Sequence, residues 1–175
     1  LTLNDDIRVR IIKIADRLHN MQTLDVMSEE KQIKISSETL YIYAPLAHRI
    51  GLYNIKNELE DLSLKFTEPN KYINIKNKLE KTKKDQENYI KTFTNFISTA
   101  LNDEKIKYEI QGRSKSIYSI YKKMEEKAID FDQVFDKFAI RIIYKAPISE
   151  EKFLAWKIYS IITDHYTPNP SRLRD

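Results

Sequence analysis

Two glycines and five prolines are all that punctuate this 175-residue chain. With so few turn formers, long helices are favoured, and neither a glycine-rich phosphate loop nor a many-stranded β-sandwich is expected. Hydrophobic residues at 41% and charged residues at 32% give the balance of a folded globular chain rather than a disordered one. Cysteine is absent, which excludes disulfides, thiolate metal sites and thiol catalysis. That absence fits a reducing compartment, and a cytoplasmic location is expected. No apolar run approaches the ~18 residues of a membrane span, so no membrane partner is expected. Thirty Lys and Arg against 26 Asp and Glu leave a net charge of +4, which permits an anionic ligand without demanding nucleic acid. The first residue is not Met and Leu1 to Asp6 do not form a signal peptide, so the chain is expected to be cut from a longer protein.

Hydrophobic periodicity predicts a helix from Asp5 to Met21, with Ile7, Ile11, Ile12, Ile14, Ala15, Leu18 and Met21 on a broad apolar face. A second helical region is predicted from Ser28, as N-cap, to Gly51, as C-cap, kinked or broken at Pro45. Ile55 to Phe66 reads as another amphipathic helix. From Tyr72 to Leu101 the chain turns rich in Lys, Asn and Glu, and Tyr72, Leu79, Gln86, Phe93 and Ala100 recur at heptad spacing beside Ile75, Thr82, Tyr89 and Phe96. This predicts one long helix, or two in line, weakest at Thr82 and Gln86. Beyond it the pattern is β-α-β-α: a strand at Lys107 to Gln111, a helix at Ser116 to Lys127, a buried strand at Phe135 to Tyr144, and a helix at Ser149 to Tyr166 with Ser149 as N-cap.

Three groups of residues stand out chemically. Asp16 and Asn20 lie four apart among apolar neighbours, with Thr23 just after. A carboxylate on an apolar face needs a partner or a metal, and a surface pair of Asp16 with Arg17 or His19 is the other reading. The three histidines, His19, His48 and His165, share no segment and are read as structural. In Gly112-Arg113-Ser114-Lys115-Ser116, at a strand-to-helix junction, Lys115 begins an i, i+4, i+8 series with Ser119 and Lys123. Helix N-terminal amides with basic side chains beside them suit phosphates, and a solvated face with Lys122 and Lys123 paired to Glu125 and Glu126 is equally open. Asp136 heads the second strand in line with Phe138, Ile140 and Ile142, which suits either a magnesium ligand or an Asp closing a turn.

These motifs resemble a known family. Ile12-Lys13-Ile14-Ala15-Asp16-Arg17-Leu18-His19-Asn20-Met21 is similar to the last metal-binding helix of the hydrolase domain in RelA/SpoT-type alarmone enzymes, and Glu38 to Ala47 to the helix after it. Gly112 to Met124 resembles the phosphate-binding motif of the synthetase, and Val134 to Ile143 its magnesium strand. The four occur in family order and cover essentially the whole chain. The resemblance implies an α+β, predominantly helical fold in three parts. Residues 1–68 would be the C-terminal part of an all-α HD hydrolase domain, 69–104 a helical connector that yields near Thr82 and Gln86, and 105–175 the N-terminal part of an α/β nucleotidyltransferase-like synthetase domain.

The implied activities are opposed. One transfers pyrophosphate from ATP to the 3′-hydroxyl of GDP or GTP. The other hydrolyses the 3′-pyrophosphate of ppGpp or pppGpp, in the stringent response. By position, Asp16 would bind manganese, and Asn20 and Thr23 would line the hydrolase nucleotide pocket. Arg113, Lys115, Ser119 and Lys123, with Arg141, would hold ATP and its phosphates, and Asp136 would bind magnesium. Arg172-Leu173-Arg174-Asp175 resembles the basic stretch of bifunctional members, with Arg in place of Lys. The family completes its hydrolase with a His and a His-Asp pair upstream and its synthetase with a Tyr and a Glu downstream, so the 175-residue piece is expected to be inactive alone. The rival expectations are a helical interaction module built on residues 70–102 and a non-catalytic relative that regulates a true enzyme. The sequence shows no nucleic-acid contact and does not reveal the oligomeric state.

Overall fold

The computed structural model describes residues 6–168, so Arg172 to Asp175 lie outside the described residues. The chain is mostly helical, with one small sheet. Helix α1 spans Ile7–Gln22, α2 Glu29–Glu38, α3 Ala44–Arg49, α4 Tyr53–Thr67 and α5 Pro69–Asp103. Strand β1 (Tyr108–Ser114) leads to α6 (Ile117–Lys127), strand β2 (Phe138–Tyr144) follows, and α7 covers Glu151–Thr163. The two strands pair antiparallel, with Gln111 opposite Arg141 and Arg113 opposite Ala139.

Packing divides the chain into two units. One holds residues 1–81 and 115–137, the other 82–114 and 138–175. The division falls between Lys81 and Thr82, at the expected weak point of the heptad pattern. The helix α5 nevertheless runs through it as a single 35-residue element, and Gln86 Nε2 donates to Thr82 Oγ1 at 2.9 Å there. A side-chain hydrogen bond at i, i+4 substitutes for apolar contact in the stripe.

The first unit has two cores. In one, Ile14 and Met21 of α1 pack with Leu24, Ala44, Ala47 and Leu59. The broad apolar face expected on α1 narrows to the stripe at Ile14, Leu18 and Met21. Ile7, Ile11 and Ile12 are 54%, 43% and 67% exposed, because the helices packed on α1 meet only one side of it among the described residues. In the other core, Ile75 of α5 and Ile120 of α6 close over Phe131 and Val134. The second unit is built on Ile97 and Leu101 of α5, Ile106 and Ile158, with Ile110 and Ile142 from the inner face of the two strands.

Pro45 does not break its helix. It sits at the start of α3, directly after a π turn at Thr39–Tyr43 in which the Ala44 amide reaches back to Thr39 O. A wider turn shifts the carbonyl that the proline ring would otherwise strike, so the expected kink is absorbed as one inserted residue. Gly51 ends α3 as expected. Its φ is +81°, and Leu52 N–H to Ala47 O at 2.9 Å and Gly51 N–H to His48 O at 3.1 Å form a Schellman motif. Ser28 does occupy the position before α2, but its side chain makes no capping bond.

Two further expectations are corrected. The second strand starts at Phe138, not Phe135, which is 78% exposed in a turn, and its alternation is half-buried against exposed rather than buried throughout. A two-stranded ladder covers one face only. The last helix begins at Glu151 with Glu150 rather than Ser149 before it, because Pro147 O takes the Glu150 and Glu151 amides and closes the turn one residue later.

Two substitutions should move stability in opposite directions. A Cβ at Gly51 would meet nothing within 4 Å, so Gly51→Ala carries only the left-handed backbone cost, about 1 kcal/mol. Ala128, the C-cap of α6, already bears that cost at φ 49°, so Ala128→Gly should stabilise by about 0.5 kcal/mol. Urea unfolding of the two variants beside the parent checks both signs.

Candidate functional sites

At the C-terminal end of α1 a cleft of about 400 Å³ is lined by Arg17, Asn20, Thr23, Leu24, Met27 and Glu38, among others. Its rim is built by Gln32, whose amide donates to the carbonyls of Leu24, Asp25 and Met27 and so fixes the short 3-10 turn Leu24–Val26. Its wall is an ion pair: Arg17 donates to Glu38 Oε2 at 3.0 Å, with its guanidinium 4.1 Å above the Tyr43 ring. Asn20 and Thr23 thus share a cleft. Asn20 Nδ2 donates to Asp16 Oδ2 at 3.1 Å, while the Thr23 hydroxyl donates to His19 O at 3.1 Å and closes the helix.

The surface pairing considered for Asp16 does not form, since Arg17 points to Glu38. Asp16 is exposed, and among the described residues no three His, Cys, Asp or Glu side chains converge as a metal would require. The sequence signal missed here was Glu38, whose separation from Arg17 by 21 residues hides their pairing.

The second site surrounds α6 in the same unit. Lys115 Nζ meets Asp136 Oδ2 at 2.6 Å, and Lys123 Nζ bonds the other oxygen of the same carboxylate. Ser119 lies between the two lysines in sequence and exchanges a 2.7 Å hydrogen bond with Ser116 Oγ. The expected single helical face is corrected: Lys115 precedes the Ser116 N-cap and lies outside α6, and the Asp136 carboxylate brings it together with Lys123. Of the solvated pairing also considered, only Lys122 with Glu126 occurs, at 3.6 Å, while Glu125 pairs with Lys71 at 2.9 Å. Asp136 sits in the turn before β2 rather than on the strand. Partial burial raises its carboxyl, but the two lysines outweigh that and hold it well below the usual carboxylate range.

Asp61, on α4, accepts from Tyr118 N at 2.7 Å, and the Ile117 amide nearby also favours its carboxylate. Ser119 N goes to Ser116 Oγ and Ile120 N to Ser116 O. Three amides of that turn thus have acceptors within the fold, Tyr118 on Asp61 and Ser119 and Ile120 on Ser116. Asp61 gave no local signal, because Tyr118 lies 57 positions away.

Arg113 and Arg141 belong to the second unit, on β1 and β2. Arg141 is opposite Gln111, two residues from Arg113 along β1, so the two arginines share the outward face of the ladder, and both are exposed.

Residues 1–53 match the family described as HD domain, and residues 112–175 match the region found in RelA / SpoT proteins. Over its whole length the chain is 45% identical to a GTP pyrophosphokinase of Myxococcus xanthus and 42% identical to a probable guanosine-3′,5′-bis(diphosphate) 3′-pyrophosphohydrolase of Synechocystis. It is 35% identical, again over its whole length, to the bifunctional (p)ppGpp synthase/hydrolase SpoT of Escherichia coli K12. Both matched regions and the relatives' names agree with the RelA/SpoT resemblance that the motifs carry. It spans 22% of the length of the first two relatives and 24% of the third. Among the described residues no helix is long and apolar enough to cross a membrane.

The sign of the Asp136 shift fixes a pH dependence. A carboxyl lowered by folding adds stability that is complete above its unfolded value, about 3.9, and is lost as pH falls through the folded one. Asp136→Asn should therefore lower stability by roughly 1 kcal/mol at pH 7, a figure kept small by the 40% exposure of this side chain. The difference from the parent should shrink below about pH 4. Denaturant titrations at pH 7 and pH 3 measure it.

Proposed function

We propose that this chain is part of an enzyme that moves pyrophosphate from ATP to the 3′-hydroxyl of GDP or GTP and hydrolyses the 3′-pyrophosphate of ppGpp and pppGpp. The observation that carries the reading is the convergence of Lys115 and Lys123 on Asp136, within the segment that matches the RelA/SpoT region. Transfer of a phosphoryl-type group is largely a matter of positioning and charge stabilisation. Two ammonium groups brought together by one carboxylate, with the Ser119 hydroxyl between them in sequence, would supply both to a polyphosphate. Asp136 occupies them in its absence, as an internal anion. Arg113 and Arg141 are further cations for ATP. On the hydrolase side Asn20 and Thr23 line the pocket for the guanine nucleotide, and Asp16 stands beside it.

Asp136 and Asp16 are hard oxygen donors of the kind magnesium and manganese accept. Asp136 as placed is already neutralised by two lysines, so a magnesium ion fits it only where phosphate oxygens have taken those lysines. Asp16 would supply one oxygen-donor side chain for manganese, and among the described residues no cluster of three His, Cys, Asp or Glu forms around it. When bound, the metals would neutralise phosphate charge and activate water. The 175-residue chain by itself is proposed to be inactive in both directions, with residues 1–68 on the hydrolase side, 69–104 as connector and 105–175 on the synthetase side.

The test is a radiolabel assay on the full-length protein that contains this chain. Lys115→Ala and Lys123→Ala should each reduce pyrophosphate transfer roughly a hundredfold and leave ppGpp hydrolysis within about twofold. Asp16→Ala should do the reverse. Transfer at the parental rate in both lysine variants would refute the synthetase assignment.

A further inference from the structure

Asp61 is placed where an ordinary surface helix would have water. It belongs to α4, which follows the HD-matching residues, yet its carboxylate is bonded to the first turn of α6, inside the RelA/SpoT region. The helices α4 and α6 pack together, and the carboxylate is half-buried between them. The groups around it are Glu60 and Lys56 on its own helix, paired with each other at 2.6 Å, Tyr72 from α5, and the Ile117 and Tyr118 amides of α6. Burial pushes the Asp61 carboxyl up to about 6, against the pull of the two amides. The α6 helix already has a local cap in Ser116. A second acceptor, charged and brought from another helix, does more than satisfy a turn. It places an anion at the positive end of the helix, where incoming phosphates would otherwise go.

We infer that Asp61 is a positioning residue for the polyphosphate site: it fixes the first turn of α6 and denies the Tyr118 amide to phosphate, so that ATP is received by Lys115, Ser119 and Lys123. The inference rests on the synthetase reading given above. It makes the affinity of the site depend on a residue of the hydrolase-side helices.

The experiment is steady-state pyrophosphate transfer by the full-length protein, with ATP varied, together with amide hydrogen exchange at Ile117 and Tyr118. Asp61→Ala should raise the KM for ATP about tenfold with kcat within about twofold, and should speed exchange of those two amides. Asp61→Asn keeps an oxygen acceptor but not the charge, so at pH 8 its KM should lie above the parent's, by about threefold, and below that of Asp61→Ala. Between pH 7 and pH 5 the parent KM should rise more steeply than that of Asp61→Asn, since only the parent loses a carboxylate there. ATP protonates equally in both assays, so it cancels from the comparison. Unchanged KM in Asp61→Ala, or identical pH profiles for the parent and Asp61→Asn, would overturn the inference. Should Asp61→Ala not fold, the pH comparison with Asp61→Asn decides. If the parent itself transfers no pyrophosphate, the functional reading fails instead, and slow exchange at Tyr118 that Asp61→Asn leaves unaltered would refute the charged hold independently.

Discussion

The hold of Asp61 on the first turn of α6 decides what the rest of the first unit presents. That bond, at 2.7 Å, seats α6 against α4. With α6 seated, Ile120 reaches the core it shares with Ile75, Phe131 and Val134, and the turn carrying Asp136 follows directly from that core. Lys115 and Lys123 then meet one carboxylate from both sides. A half-buried carboxylate is costly unless hydrogen-bonded, and here the Tyr118 amide provides that compensation. Removing the acceptor would leave that partly buried amide unsatisfied and the lysine pair without its frame.

Much of the helical plan was legible in the sequence because it rests on local rules. The 3.6-residue spacing of Ile14, Leu18 and Met21, the left-handed Gly51 and the Ser116 cap each act within a few positions. The errors came where distant packing intervenes. Periodicity alone gave α1 a broad apolar face, although only one stripe is covered. The π turn before Pro45 depends on how several carbonyls share donors, which a propensity argument does not resolve. The apolar run from Phe135 suggested a buried strand, but a ladder of two strands has only one face to bury.

The candidate sites were legible to the same degree. Helical spacing singled out Lys115, Ser119 and Lys123, although Lys115 lies before the helix, and the alternation near Asp136 brought it into view. What spacing alone did not show was that these groups would neutralise one another, or that Asp61 and Glu38 would arrive from far along the chain. The first turn of a helix attracts anions, and here the fold itself brings one, the Asp61 carboxylate on Tyr118 N–H. The lysine side chains, held by Asp136, are the longer and more mobile donors able to exchange partners.

That exchange is the core of the account, and a structure of the full-length protein with magnesium and a non-hydrolysable ATP analogue tests it most directly. Polyphosphate oxygens should lie within hydrogen-bond distance of the Lys115 and Lys123 ammonium groups, which leave Asp136, while Tyr118 N–H remains on Asp61. Phosphates seated on the first-turn amides of α6 with Asp61 displaced, or both lysines still held by Asp136 beside a bound nucleotide, would contradict it.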